Sequence, residues 1–264
     1  SLDIPVTGYG IRYQYGMFHQ KIRDGYQIEQ PDNWLRNGNP WEIECPENMR
    51  RISFYGHCER VEDGADRQRS RWVGTHDVLA MPYDVPIPGF RNGTVNTLRL
   101  WKAEATDEFD LEEFNAGSYT DAVAAKNLAE QITMVLYPND ASELGKELRL
   151  RQQYFLASAS LQDVMDHWIK RNGHDFSGFA EGNCFQLNDT HPTVAVAELM
   201  RLLLDEQGLD WDTAWQITTR TMCYTNHTLL PEALEAWSVG LISQLLPRIL
   251  EIIYQINDWF LARV

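Results

Sequence analysis

Twice in its second half the sequence passes from a short apolar run, through a polar loop carrying histidine, into a helical segment. Cys184-Phe185-Gln186-Leu187-Asn188 leads into Asp189-Thr190-His191-Pro192 and then a helix over residues 193–206 that is apolar round most of its circumference. Residues 222–226 read as a second short buried strand, ending in Asn226-His227-Thr228, and Pro231-Glu232 opens the next helix. Strand, loop, helix, repeated in this order, predicts an α/β fold with a parallel sheet covered by helices. Ligands then sit beyond the carboxyl ends of the strands, where both histidine loops fall.

The remainder of the chain fits around that core. Up to about residue 105 the sequence is rich in aromatics, Gly and Pro, with strand-like runs at 51–55 and 94–100. Between them the charged stretch 62–71, with its turn-forming Asp63-Gly64, reads as an exposed hairpin loop. From about residue 106 the pattern is mainly helical. A helix over 119–136 carries small alanines on one face. A longer one from Gly145 places Leu150, Tyr154, Ala157, Leu161, Val164 and Trp168 on one stripe and stops at Asn172-Gly173. Asp210 caps a further helix, and Pro247 interrupts what would otherwise be one long helix ending in the stripe Ile249, Ile252, Ile256 and Phe260. We treat residues 1–264 as a single partial domain.

A formal net charge of −15 opposes binding to nucleic acid or to anionic lipid, since both demand a basic surface. No apolar run is long enough to span a membrane, and the first residues lack the features of a signal peptide, so a cytoplasmic protein is expected. The four cysteines form no C-x-x-C unit, which argues against a zinc site or a disulfide framework.

Several chemistries can be weighed against the histidines. A Ser-His-Asp arrangement lacks the Gly-x-Ser-x-Gly elbow, and Ser158, Ser160 and Ser177 have no motif context. Cys184 and Cys223 lie within apolar runs, where burial would leave them inert. Asp189, His191 and His227 match no metal-ligand spacing, and no carboxylate pair for glycoside hydrolysis stands out among 38 acids.

The sequence resembles the α-glucan (glycogen, starch and maltodextrin) phosphorylase family, in its bacterial form. The resemblance rests on Gly8-Tyr9-Gly10-Ile11-Arg12-Tyr13, Asn39-Pro40-Trp41-Glu42, Asp84-Val85-Pro86-Ile87-Pro88-Gly89-Phe90, Leu98-Arg99-Leu100-Trp101 and Val135-Leu136-Tyr137-Pro138-Asn139-Asp140. It continues through Gln152-Gln153-Tyr154-Phe155, both histidine segments, Leu230-Pro231-Glu232-Ala233-Leu234-Glu235 and Leu246-Pro247-Arg248. It implies part of the amino-terminal lobe of a two-lobed, GT-B-like glycosyltransferase. Such enzymes split terminal α-1,4-glucosidic bonds with inorganic phosphate, giving glucose 1-phosphate, and depend on the 5′-phosphate of pyridoxal 5′-phosphate.

The same resemblance implies that His227 lies against the transferred glucose, its backbone carbonyl near developing positive charge. It puts Asp140 in a loop that gates the phosphate site by repulsion. Asn139, Asn226, Asp189 and His191 are implied in sugar binding, and Glu251 and Tyr254 in an accessory glucan site. The helix over 119–136 resembles the one that packs against its mate in homodimers.

Departures carry expectations of their own. Ala141 stands where many relatives have Asn, removing one hydrogen bond to glucose. Asp166-His167 and His57 stand where the animal enzymes place arginines for AMP, so AMP activation is not expected. The family's glycine-rich loop and its carboxyl-terminal domain, with the cofactor lysine, are expected outside this chain. The chain by itself is therefore expected to be inactive. A non-catalytic glucan-binding or dimerising module is the alternative.

Overall fold

A computed structural model describes residues 1–63, 67–106, 124–136, 142–230 and 234–263. The expected positions Asn139, Asp140 and Ala141, the first turn of the 119–136 helix, and Pro231-Glu232 lie outside them. The chain divides into two compact units, one comprising Ser1–Ile52 and Asp77–Leu156, the other Ser53–His76 and Ala157–Val264.

The first unit is built on strands β1 (Thr7–Ile11), β2 (Gly16–Arg23), β3 (Tyr26–Asp32), β4 (Ile43–Glu44) and the first three residues of β5 (Arg50–Phe54), whose last two belong to the second unit. After β6 (His57–Asp63) and β7 (Arg67–Val73), which belong to the second unit, come the long strands β8 (His76–Pro88) and β9 (Val95–Ala105). The main sheet runs β1-β9-β8-β4, with β5 also on β8. β1 is parallel to β9, whereas β8 is antiparallel to both β9 and β4. This sheet, in the region read as strand-rich, is mixed: β8 and β9 are close enough in sequence to pair as a hairpin, and only non-local pairing can be parallel. Val78, Ala80, Trp101 and Ala103 are buried, with α1 (Ala124–Glu130) packed on β9.

Two buffered charges stiffen this unit. Arg99 donates to both oxygens of Asp84 at 2.7 Å, and Arg12 reaches Glu42 at 2.5 Å while lying 4.1 Å from the Tyr83 ring. A fork-shaped guanidinium against a carboxylate satisfies both partners at once, which burial requires.

α2 (Glu143–Asn172) ends where Gly173 takes φ +66°, as the Asn-Gly signal predicts. Burial extends beyond the single expected stripe: Phe155, Ser158 and Ala159 are as hidden as Leu150, Tyr154 and Leu161.

In the second unit the charged stretch expected to be a loop is mostly strand. β6 and β7 pair antiparallel from His57↔Val73 to Asp63↔Arg67, and cross-strand pairs such as Glu59↔Arg71 set opposite charges side by side. The short helix α3 (Phe179–Gly182) precedes β10 (Phe185–Asn188). Next come α4 (Ala195–Arg201), a π-helical turn (Leu202–Glu206), α5 (Trp211–Thr221), β11 (Met222–Thr225), α6 (Val239–Leu245) and α7 (Pro247–Leu261). The Asp210 side chain accepts from the Thr213 N–H at 3.0 Å, capping α5. Pro247 occupies the first turn of α7 and separates it from α6, as expected. Pro231 and Glu232, expected to open a helix, lie outside the described residues; residues 234–238 are not helical, and α6 begins at Val239, where the Ser238 hydroxyl accepts from the Leu241 N–H.

Glu198 on α4 is wholly buried. It accepts from Ser158 at 2.6 Å and from Arg201 at 2.7 and 2.8 Å, so its charge is matched where no water reaches it. Among the described residues no helix is long and apolar enough to cross a membrane.

Candidate functional site

β10 and β11 pair in parallel, Phe185↔Met222 through Asn188↔Thr225. Two strands that run the same way must present their carboxyl ends together, and this register sets the loop after Asn188 beside the loop after Thr225. The connection between them is the helical stretch α4 to α5, as a parallel crossover requires.

At that shared end the Asn188 amide oxygen meets Nε2 of His227. An amide oxygen only accepts, so in this contact Nε2 is the donor. The pairing is prolonged by Asp189, whose N–H donates to the Thr225 carbonyl at 2.8 Å. Asp189 is left-handed, φ +69°, a conformation open to Asp because its carboxylate accepts from the next N–H, here Thr190 at 2.7 Å. Across the same edge Gln186 donates to Thr225 Oγ1 at 2.8 Å, and Asn226 accepts from Thr228 N–H at 3.0 Å. His191 faces Glu235 with Nε2 4.0 Å from the carboxylate.

The structure therefore brings Asp189, Asn226 and His227 to one strand end, with His191 in the loop that follows β10. Asn188 and Glu235 were not singled out in the sequence. Asn188 was legible only as the last residue of a strand; that it orients the imidazole depends on a register between residues 39 apart.

Burial corrects two expectations. On β10 Leu187 is buried and Gln186 and Asn188 exposed, while β11 is exposed from Cys223 to Thr225 instead of being a buried strand. Cys184 and Cys223 are exposed as well. Side chains alternate along a strand, so Gln186, Asn188, Cys223 and Thr225 share the outward face however apolar their run, while Tyr224, on the other face, is exposed beside the open cavity. On the helix side, Leu187, Thr193, Val196, Thr218, Thr219, Met222 and Tyr224 line an open cavity of about 300 Å³ that includes none of the polar site residues.

The side chains gathered at the strand end are amides, imidazoles, hydroxyls and carboxylates, a mixture of donors and acceptors suited to a polyhydroxyl ligand. They include no lysine amine and no guanidinium, so this cluster does not fit the anchoring of pyridoxal phosphate. Among the described residues no group of three or more His, Cys, Asp and Glu gathers to hold a metal.

On α7, where an accessory glucan site was expected, Tyr254 is exposed, while Glu251 is bound to Arg248 at 2.9 Å; Arg248 also holds Asp205 at 2.7 Å. At the two places where the resemblance led to an expected loss of AMP-binding arginines, Asp166 is paired with Lys170 at 2.8 Å, and His57 Nε2 lies 3.4 Å from Glu59.

Comparison with known proteins bears on all of residues 1–264, which match the family model described as carbohydrate phosphorylase. The chain is 52% identical over 274 residues to human "Glycogen phosphorylase, muscle form" and 51% identical over 271 residues to the human liver form. The rabbit muscle form is 51% identical over 274 residues. Each alignment takes in 100% of this chain but only 31% or 32% of the relative, so the chain spans about a third of the length of these proteins.

Proposed function

Because the chain belongs to the carbohydrate phosphorylase family, we propose that it forms the sugar-facing part of an α-glucan phosphorylase. That enzyme transfers the terminal α-1,4-linked glucose of a glycogen or maltodextrin chain to inorganic phosphate. The observation that carries the reading is the Asn188–His227 contact at the joined strand ends, within a cluster of neutral and acidic groups that suits sugar hydroxyls.

In this reading His227 touches the glucose, with Nδ1 facing a hydroxyl donor and the backbone carbonyl near the charge that develops at the anomeric carbon. Asn226, Asp189 and His191 bind the accepting glucan, with Asn139 beside them, and Asp140 gates the phosphate. The anion itself, and the pyridoxal 5′-phosphate that supplies proton transfer to it when bound, fall to cationic groups that the strand-end cluster lacks. A GT-B-like two-lobed enzyme, dimeric and cytoplasmic, with the cofactor lysine in its other lobe, accommodates this division. Tyr254 offers an exposed ring for a second glucan contact. The carboxylates beside His57 and at Asp166 favour an enzyme without AMP activation, because an added phosphate would meet negative charge.

The test is phosphate-dependent release of glucose 1-phosphate from maltodextrin. The intact protein should show it, together with the absorbance of bound pyridoxal phosphate, and residues 1–264 alone should show neither. Glucan binding by the intact protein without phosphorolysis would establish the non-catalytic module instead, and release by residues 1–264 alone would overturn the assignment.

A further inference from the structure

The exposed face of the β10–β11 ribbon carries a second pair of side chains at its opposite end. The sulfurs of Cys184 and Cys223 lie 3.6 Å apart. Both residues are exposed, whereas Cys45 and Cys58 are partly covered. Cys223 stands opposite Gln186 in the ladder, so Cys184 is its diagonal neighbour, one residue before β10 begins. A disulfide needs the sulfurs at ~2.05 Å, an approach of roughly 1.5 Å. Rotation of either side chain, with adjustment of a backbone that has left the ladder at Cys184, supplies it.

We propose that Cys184 and Cys223 are a reversible thiol–disulfide pair that staples β10 to β11 beneath the candidate site. A two-electron peroxide is a sufficient oxidant. One thiolate attacks the peroxide, releasing water and leaving a sulfenic acid; the second thiolate attacks that sulfur and displaces its oxygen as a second water. Two thiols and one hydrogen peroxide thus give one disulfide and two waters, and a dithiol reductant reverses the link by two exchange steps.

The geometry favours an internal link over separate oxidation of each thiol, because the resolving sulfur already lies beside the attacked one. The hydrogen bond to the Cys223 sulfur holds Cys184 above the ordinary thiol range. The reactive thiolate is therefore scarce at neutral pH, and the rate of closure should climb as pH rises. The staple closes a segment that includes Asp189 and His191 and ties down the strands that end at Asn188 and Thr225. Its effect on sugar binding rests on the function proposed above, but its formation does not.

The experiment treats the intact protein with hydrogen peroxide at pH 7 and pH 9, caps remaining thiols with N-ethylmaleimide and maps non-reduced peptides by mass spectrometry. The expected product is a peptide pair joined through Cys184 and Cys223, formed several-fold faster at pH 9, abolished in Cys184→Ser and lost on treatment with dithiothreitol. Recovery of the two cysteines as separate capped or sulfinic peptides would overturn the proposal. So would a link from either one to another cysteine or to a second molecule. Maltodextrin affinity measured on the same samples reports separately on the sugar site.

Discussion

His227 is held by Asn188 through a contact between Nε2 and the amide oxygen, although 39 residues separate them. The imidazole is thereby held in one orientation by a side chain on the neighbouring strand.

That contact makes Asn188 a positioning residue whose loss should be felt at the sugar. In the intact protein Asn188→Ala should lower kcat/KM for maltodextrin by roughly five-fold, corresponding to one hydrogen bond of ~1 kcal/mol, with His227→Ala costing more. Asn188→Gln, which keeps an amide oxygen, should recover part of the loss. Steady-state kinetics decide it: an Asn188→Ala enzyme within two-fold of the original would remove Asn188 from the site.

The buried carboxylate of Glu198 gives a stability prediction. Glu198→Ala leaves Arg201 and Ser158 without their shared partner in a water-free setting, and should destabilise the fold by ~3 kcal/mol. The remaining contact of Arg201 with Glu206, at 3.0 Å, keeps the cost at the low end of such losses. Urea denaturation monitored by tryptophan fluorescence measures it, and a loss below ~1 kcal/mol would show that the network relaxes round the gap.

The cap of α5 links stability to pH. The Thr213 N–H and hydroxyl bound to Asp210 hold its carboxyl below the usual carboxylate range. A folded-state pKa below the unfolded one means that the stabilisation is complete above about pH 4 and is lost as pH falls through the folded-state value. Asp210→Ala should cost ~1 kcal/mol at neutral pH. Asp210→Asn should retain the cap but lack this acid-sensitive component, a difference that unfolding curves between pH 2 and 7 will reveal.

Cys58 should behave unlike the exposed pair. Burial first, then the Glu251 carboxylate beside it, pushes its thiol up to about 12. Iodoacetamide at pH 8 should therefore leave Cys58 unmodified while it reaches Cys223. Rapid labelling of Cys58, seen by peptide mapping, would contradict the burial and the carboxylate contact.

The sequence by itself determined what local chemistry controls. Gly173 ends α2 because only a left-handed residue can turn the chain there, Asp210 caps α5 through a side chain three residues from its partner, and Pro247 divides α6 from α7. Family membership was legible for a related reason, since ordered motifs persist along the whole chain. Tertiary structure decided the rest. Whether Cys184 and Cys223 are buried depends on how many strands flank the ribbon, which no hydrophobic run encodes. Whether the sheet is mixed, which amide holds His227, and where the charge of Glu198 is satisfied all depend on pairing between residues distant in sequence. Periodicity fixes which side of an element is apolar; only the register of its neighbour fixes what that side, or the opposite one, will meet.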